Sequence, residues 1–128
     1  MIKSLLLVDD NDYTRSFLGR IFERKGITVY ATASGLEAVE LFKQHRPERV
    51  FLDIHLKDID GITVFRKIRN VDVMASIYFI TGDSNFAATA KELNADGFIM
   101  KPVNINDMLA LTEERICEIA LQGGERII

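Results

Sequence analysis

Residues 5–12 read LLLVDDND: four large apolar side chains run straight into Asp9, Asp10, Asn11 and Asp12. An unbroken apolar run of this length fits a strand covered on both faces, as in a parallel sheet. Its end is the unusual part. Two carboxylates about 4 Å apart repel by about 1 kcal/mol in bulk water and by about 4 kcal/mol at an effective dielectric of 20. Adjacent acids at the mouth of a buried strand therefore need something to offset that repulsion.

Working outward, residues 27–31, 50–52, 77–80 and 98–100 form four more short runs of β-branched, aromatic or leucine residues. The stretches between them carry apolar residues at helical spacing. Phe17, Leu18, Ile21 and Phe22 predict a first helix. Leu36, Val39 and Phe42 predict a second, with Ser34 and Glu37 as a capping box. Ile62, Phe65 and Ile68 mark a third, and Phe86, Ala90 and Leu93 a fourth. Ile105, Met108, Leu109, Thr112, Ile116 and Ile119 mark a fifth behind Asn104 as N-cap. Right-handed crossovers leave few topologies for five β–α units. The reading is an α/β fold, a doubly wound five-stranded parallel sheet in the flavodoxin-like order 2-1-3-4-5 with five helices.

Composition narrows the function classes. A chain of 128 residues is one domain's worth, with 48% apolar and 27% charged residues, as in ordinary globular proteins. A net charge of −3 gives no electrostatic reason to expect nucleic acid or an anionic membrane as partner. Cys117 is the only cysteine, so no internal disulfide forms, and it reads as a half-buried small residue on the last helix. No apolar run is long enough for a membrane span, and a cytoplasmic location is expected. Residues 1–122 are expected to form the domain and residues 123–128, with glycines at 123 and 124, a short tail or the start of a linker.

In open α/β sheets, ligands bind beyond the carboxyl ends of the strands at the topological switch point. Run 1 delivers Asp9 and Asp10 there, run 3 Asp53, run 4 Thr81, and the loop after run 5 Lys101. Singly, an acid after a strand is more often a helix N-cap, a threonine a turn hydroxyl and a lysine a solvated charge. Asn11 or Asp12 can cap the first helix, however, which leaves Asp9 and Asp10 without that role. Three clustered carboxylates call for a hard divalent cation with oxygen ligands, Mg²⁺. One carboxylate beside such an ion, a lysine and a hydroxyl suits phosphoryl acceptance, where catalysis is positioning plus electrostatics. Asp53 is the candidate nucleophile, because it sits singly on the central strand.

With these residues assembled, the chain resembles the receiver domains of two-component response regulators, of the single-domain, chemotaxis-regulator-like kind. The resemblance runs through LLLVDDN, ASGLEAVELF, VFLDIHLKDIDG, YFITGD and ADGFIMKPV. It implies that Asp53 takes a phosphoryl group from a histidine kinase or histidine phosphotransfer protein, and that the domain catalyses its own phosphorylation and dephosphorylation. It implies Mg²⁺ on Asp9, Asp10, Asp53 and the backbone carbonyl of His55, with Thr81 as the switching hydroxyl and Lys101 as its partner on the phosphoryl group. Phe98 matches the switch aromatic, and Lys101–Pro102 a bond that is often cis. His55 and Asp83 match positions whose side chains tune hydrolysis, although Asp83 reads equally as an N-cap of the fourth helix. The expected output is a downstream protein effector or an attached output domain, with a homodimer through the fourth helix, fifth strand and fifth helix as a further option. The chain departs from the family at Lys57, where a proline is common.

Rival readings are weaker. A flavin or nucleotide module wants free amides after strand 1, where VDDND places carboxylates. A metal-dependent phosphatase with an aspartate nucleophile wants acid-x-acid spacing, which Asp9–Asp10 lacks. The remaining alternative is a degenerate receiver that binds proteins without phosphorylation, although all five expected positions are present.

Overall fold

The structure is a computed structural model, and it describes residues 1–113. Strands β1 (Ser4–Val8), β2 (Thr28–Thr32), β3 (Arg49–Asp53), β4 (Ile77–Thr81) and β5 (Gly97–Met100) alternate with five helices. These are α1 (Asp12–Arg24), α2 (Gly35–His45), α3 (Gly61–Val71), α4 (Ala87–Glu92) and α5 (Ile105–Ala110), with a 3-10 turn at Ser84–Phe86 leading into α4. The strands form one parallel sheet in the order β2-β1-β3-β4-β5, so the flavodoxin-like topology is the observed one.

Side-chain caps start four of the five helices, α4 being the exception. Asn11 accepts from the Thr14 amide, Ser34 from Glu37, Asp60 from Thr63, and Asn104 from Asn106 and Asp107. Asp83 caps the 3-10 turn by accepting from the Asn85 amide, rather than capping α4 itself.

Because strand side chains alternate, the sheet separates two cores. On one face Leu5, Leu7, Phe51, Tyr78, Ile80 and Ile99 pack with Leu18 and Phe22 of α1 and Met108 of α5. On the other, Leu6, Val8, Val50, Leu52, Phe79 and Phe98 pack with α2, α3 and α4 through residues such as Phe42, Phe65, Ile68 and Ala90.

Several sequence expectations are corrected. Phe17 and Leu36, read as core-facing, are 47% and 55% exposed. Residues 17 and 18 lie about 100° apart on a helix, and only Leu18 and Phe22 turn inward. In α2, Ala38, Val39 and Phe42 do so. Ile27 is buried but precedes β2, which begins at Thr28. The fifth helix is described only as Ile105–Ala110; Ile116, Cys117, Ile119 and the tail at 123–128 lie outside the described residues.

At the end of the sheet away from the acids, Arg49 is buried. It donates from Nε to the Leu111 carbonyl (3.2 Å), from Nη1 to Glu48 O (3.2 Å) and from Nη2 to Glu113 O (2.7 Å), tying the start of β3 to the segment after α5. No described helix is long and apolar enough to cross a membrane.

Candidate phosphoacceptor site

Asp53 closes β3 and Thr81 closes β4. The Asp9 amide donates to the Thr32 carbonyl (3.1 Å) and the Lys101 amide to the Thr81 carbonyl (2.8 Å), so the ladder continues past the ends of β1 and β5. All five of these residues therefore stand at the carboxyl edge of the sheet. Alternation then sorts them. Asp9, Asp53 and Lys101 continue the files of Leu7, Phe51 and Ile99, on the α1/α5 face, whereas Thr81 continues the file of Phe79 on the opposite face.

Asp9 is fully buried. Its Oδ1 accepts from the Asn11 amide (2.9 Å), and its carbonyl accepts from Arg15 Nη1 (2.7 Å). Its Oδ2 is buried without a hydrogen-bond partner. Lys101 Nζ lies 3.3 Å from that oxygen, an ion-pair contact without hydrogen-bond alignment, and donates to Asp53 Oδ2 at 2.9 Å. Asp53 Oδ1 accepts from the His55 amide at 3.2 Å. Carboxylate oxygens of Asp9, Asp10 and Asp53 all lie within 4.8 Å of one another, with Asp10 half-buried.

Burial pushes the Asp9 carboxyl above its ordinary value. The Asn11 amide and Lys101 pull it back, and the Asp53 charge adds to the rise. Burial also works against the charge on Lys101, but the hydrogen bond and charge of Asp53, with the charge of Asp9, outweigh it and hold the ammonium above its ordinary value. The cluster thus contains a secured cation and an acid whose ionisation is costly. An all-oxygen donor set with one buried oxygen lacking a hydrogen-bond donor is suited to a hard divalent cation.

The other candidates surround this cluster. Thr81 is buried, and its hydroxyl accepts from the Asp83 amide at 3.0 Å. Phe98 is 2% exposed and already turned inward, with its ring centroid 6.3 Å from that of Phe86. The side chains of His55 and Asp83 are exposed at the rim. The Lys101–Pro102 peptide is cis.

Sequence reasoning missed three supports. Arg15 holds the Asp9 carbonyl and pairs with Asp12; an arginine one turn into the helix behind the acids is its only signal. Asp58 reaches back to the start of α2, a contact that no local spacing announces. Gly61 packs so tightly that an added Cβ would lie 2.4 Å from the Asp53 carbonyl oxygen and 2.7 Å from Ile54 Cα. Here the DG pair before an apolar helix was the signal.

A doubly wound α/β domain with an acidic cluster and a lysine at its switch point defines a class of phosphate-signalling modules. Residues 5–113 match the response regulator receiver domain, and the chain belongs to that family. It is 33% identical over 112 residues to the chemotaxis protein CheY of Bacillus subtilis, covering 85% of this chain and 93% of that one. In structure it resembles a response regulator protein from Burkholderia pseudomallei with a phosphorylated aspartic acid, calcium ion and citrate (TM-score 0.80, 27% identity, 94% of this chain and 70% of that one). It also resembles the CheX-CheY-BeF3-Mg+2 complex of Borrelia burgdorferi (TM-score 0.77, 31% identity, 84% of each chain). Receiver domains work with kinases, phosphotransfer proteins and effectors, and hold Mg²⁺ at an acidic pocket.

Proposed function

We propose that this chain accepts a phosphoryl group on Asp53 from a histidine kinase or histidine phosphotransfer protein, and that loading Asp53 switches a protein-interaction surface. The observation that carries this reading is the Lys101 ammonium set between Asp53 and a buried Asp9 oxygen that has no hydrogen-bond partner. The relatives with a phosphorylated aspartic acid and with BeF3 and Mg support it.

Asp9, Asp10 and Asp53, with the His55 backbone carbonyl, hold Mg²⁺. When bound, the ion supplies positive charge that draws in the phosphoryl oxygens and offsets the carboxylate repulsion. An Asp53 carboxylate oxygen attacks phosphorus; the new O–P bond forms as the donor's P–N bond breaks, and its electron pair returns to the imidazole. The product adds a charge of about −2. Lys101 takes up part of that charge, and the His55 amide keeps the Asp53 carboxylate oriented. Thr81 moves its hydroxyl onto a phosphoryl oxygen. Movement on its face of the sheet, which it shares with Phe79 and Phe98, re-presents the surface of α4, β5 and α5 to an effector, an output domain or a second copy. His55 and Asp83 at the rim govern access of the hydrolysing water. The protein turns over no separate substrate and works in the cytoplasm.

Acetyl phosphate with Mg²⁺, followed by intact-mass spectrometry, tests this. Wild type gains one phosphate and Asp53→Ala gains none. A wild-type chain that stays unmodified with acetyl phosphate and with phosphohistidine donors overturns the reading in favour of phosphorylation-independent binding.

A further inference from the structure

The loop between β3 and α3 holds the residues that flank Asp53, and Lys57 leaves it without the stiffening of a proline. Other restraints take that place. Asp58 Oδ2 accepts from Ser34 Oγ (2.7 Å) and the Leu36 amide (3.0 Å), and its Oδ1 accepts from the Gly35 amide (2.9 Å). One loop carboxylate thus occupies the first turn of a helix that begins 23 residues earlier in the chain. The Leu36 and Gly35 amides and the Ser34 hydroxyl hold its carboxyl far below the usual carboxylate range, as befits a charge that accepts backbone hydrogen bonds.

Packing reinforces the attachment. A Cβ on Gly35 would lie 2.7 Å from both Ile59 Cγ1 and Val64 Cγ2 and 3.3 Å from Leu56 Cδ1, so the loop and the start of α3 press directly on the α2 backbone. At the loop's other end the Gly61 amide donates to the Ile54 carbonyl at 2.7 Å. Between these anchors the His55 amide bonds Asp53 Oδ1.

We infer that Asp58 is a positioning residue: by clamping the β3–α3 loop to α2, it keeps the backbone of residue 55 in register with the Asp53 carboxylate and so sets the Mg²⁺ affinity of the site. This rests on the acidic cluster being the Mg²⁺ site of the proposed function. Asp58 touches no reacting atom. Its effect is on assembly of the site, and a filled site reacts at its ordinary rate.

The test compares wild type, Asp58→Ala and Ser34→Ala by calorimetric Mg²⁺ titration and by amide hydrogen exchange of the metal-free protein. Asp58→Ala weakens Mg²⁺ binding about tenfold, the scale of losing a group that orients a metal ligand. Its phosphorylation by acetyl phosphate at saturating Mg²⁺ stays within about twofold of wild type, as for a change confined to binding. Ser34→Ala removes the N-cap of the same helix and one of the three bonds to Asp58 but leaves both amide bonds, so Mg²⁺ affinity falls by less than in Asp58→Ala. Amides of residues 54–60 exchange faster in Asp58→Ala than in Ser34→Ala. Equal Mg²⁺ affinities in all three proteins, with both variants melting lower, make Asp58 a helix cap only and overturn the inference. Should Asp58→Ala fail to fold, Asp58→Asn, which keeps one acceptor oxygen, gives an intermediate affinity; wild-type affinity there overturns the inference equally. A wild type that binds no Mg²⁺ sinks the proposed function instead, and the exchange data still decide whether Asp58 clamps the loop.

Discussion

Asp9 and Asp53 share one lysine, and the share is unequal: Lys101 is aligned on Asp53 and only near Asp9. A carboxyl whose folded value is raised contributes stability in full below its unfolded value of 3.8 and loses it as pH rises through the folded value. Once pH exceeds that folded value the loss is complete. Asp9→Asn should therefore raise the stability of the metal-free protein by about 1 kcal/mol, because the remaining Lys101–Asp53 pair is matched in charge. The same change should abolish any rise in melting temperature on adding Mg²⁺, and melts with and without the ion check both effects. Asp9, Asp10, Asp53, Thr81 and Lys101 were legible because each follows an apolar run at the edge where such sheets bind ligands. Asp58 was not, because its partner is a helix start far upstream and its immediate neighbours look like any polar loop.

At the scale of elements, caps were legible because they act within four residues of themselves, as Asn11, Ser34 and Asn104 do. Which edge of an apolar stripe faces the sheet was not. The spacing of residues 17, 18, 21 and 22 defines a stripe but not its centre, and Phe17 instead stacks on exposed Tyr13 with ring centroids 6.2 Å apart. The start of α3 carries the sharpest steric demand. A Cβ on Gly61 meets the Asp53 carbonyl and Ile54 Cα, backbone atoms that cannot swing aside as a flexible side chain does. Gly61→Ala is expected to cost about 2 kcal/mol or more through overpacking, and to shift the Asp53 backbone with it. Urea unfolding measures the first effect, and slower phosphorylation by acetyl phosphate reports the second.

For the molecule as a whole, alternation of β and α units with right-handed crossovers made the topology readable before any contact was known. The buried Arg49 was not readable, since its burial depends on carbonyls more than sixty residues away. Tyr78, by contrast, sits in the run 77–80 read as a strand, and on β4 it is 2% exposed. Burial pushes its phenol up to about 12, with the Arg49 charge opposing. Stability from the neutral phenol is complete below pH 10 and falls as pH climbs through about 12. Tyr78→Phe should flatten this alkaline decline while leaving neutral-pH phosphorylation unchanged, as denaturant titrations from pH 8 to about 11.5 will show. The sorting of the edge residues by strand alternation has a last consequence. Asp9, Asp53 and Lys101 hang on one side of the sheet, while Thr81 and Phe98 hang on the other. Under the proposed function, substitutions beside Asp9, Asp53 and Lys101 should therefore change how fast the domain is charged, and substitutions around Thr81 and Phe98 should change how the α4–β5–α5 surface responds.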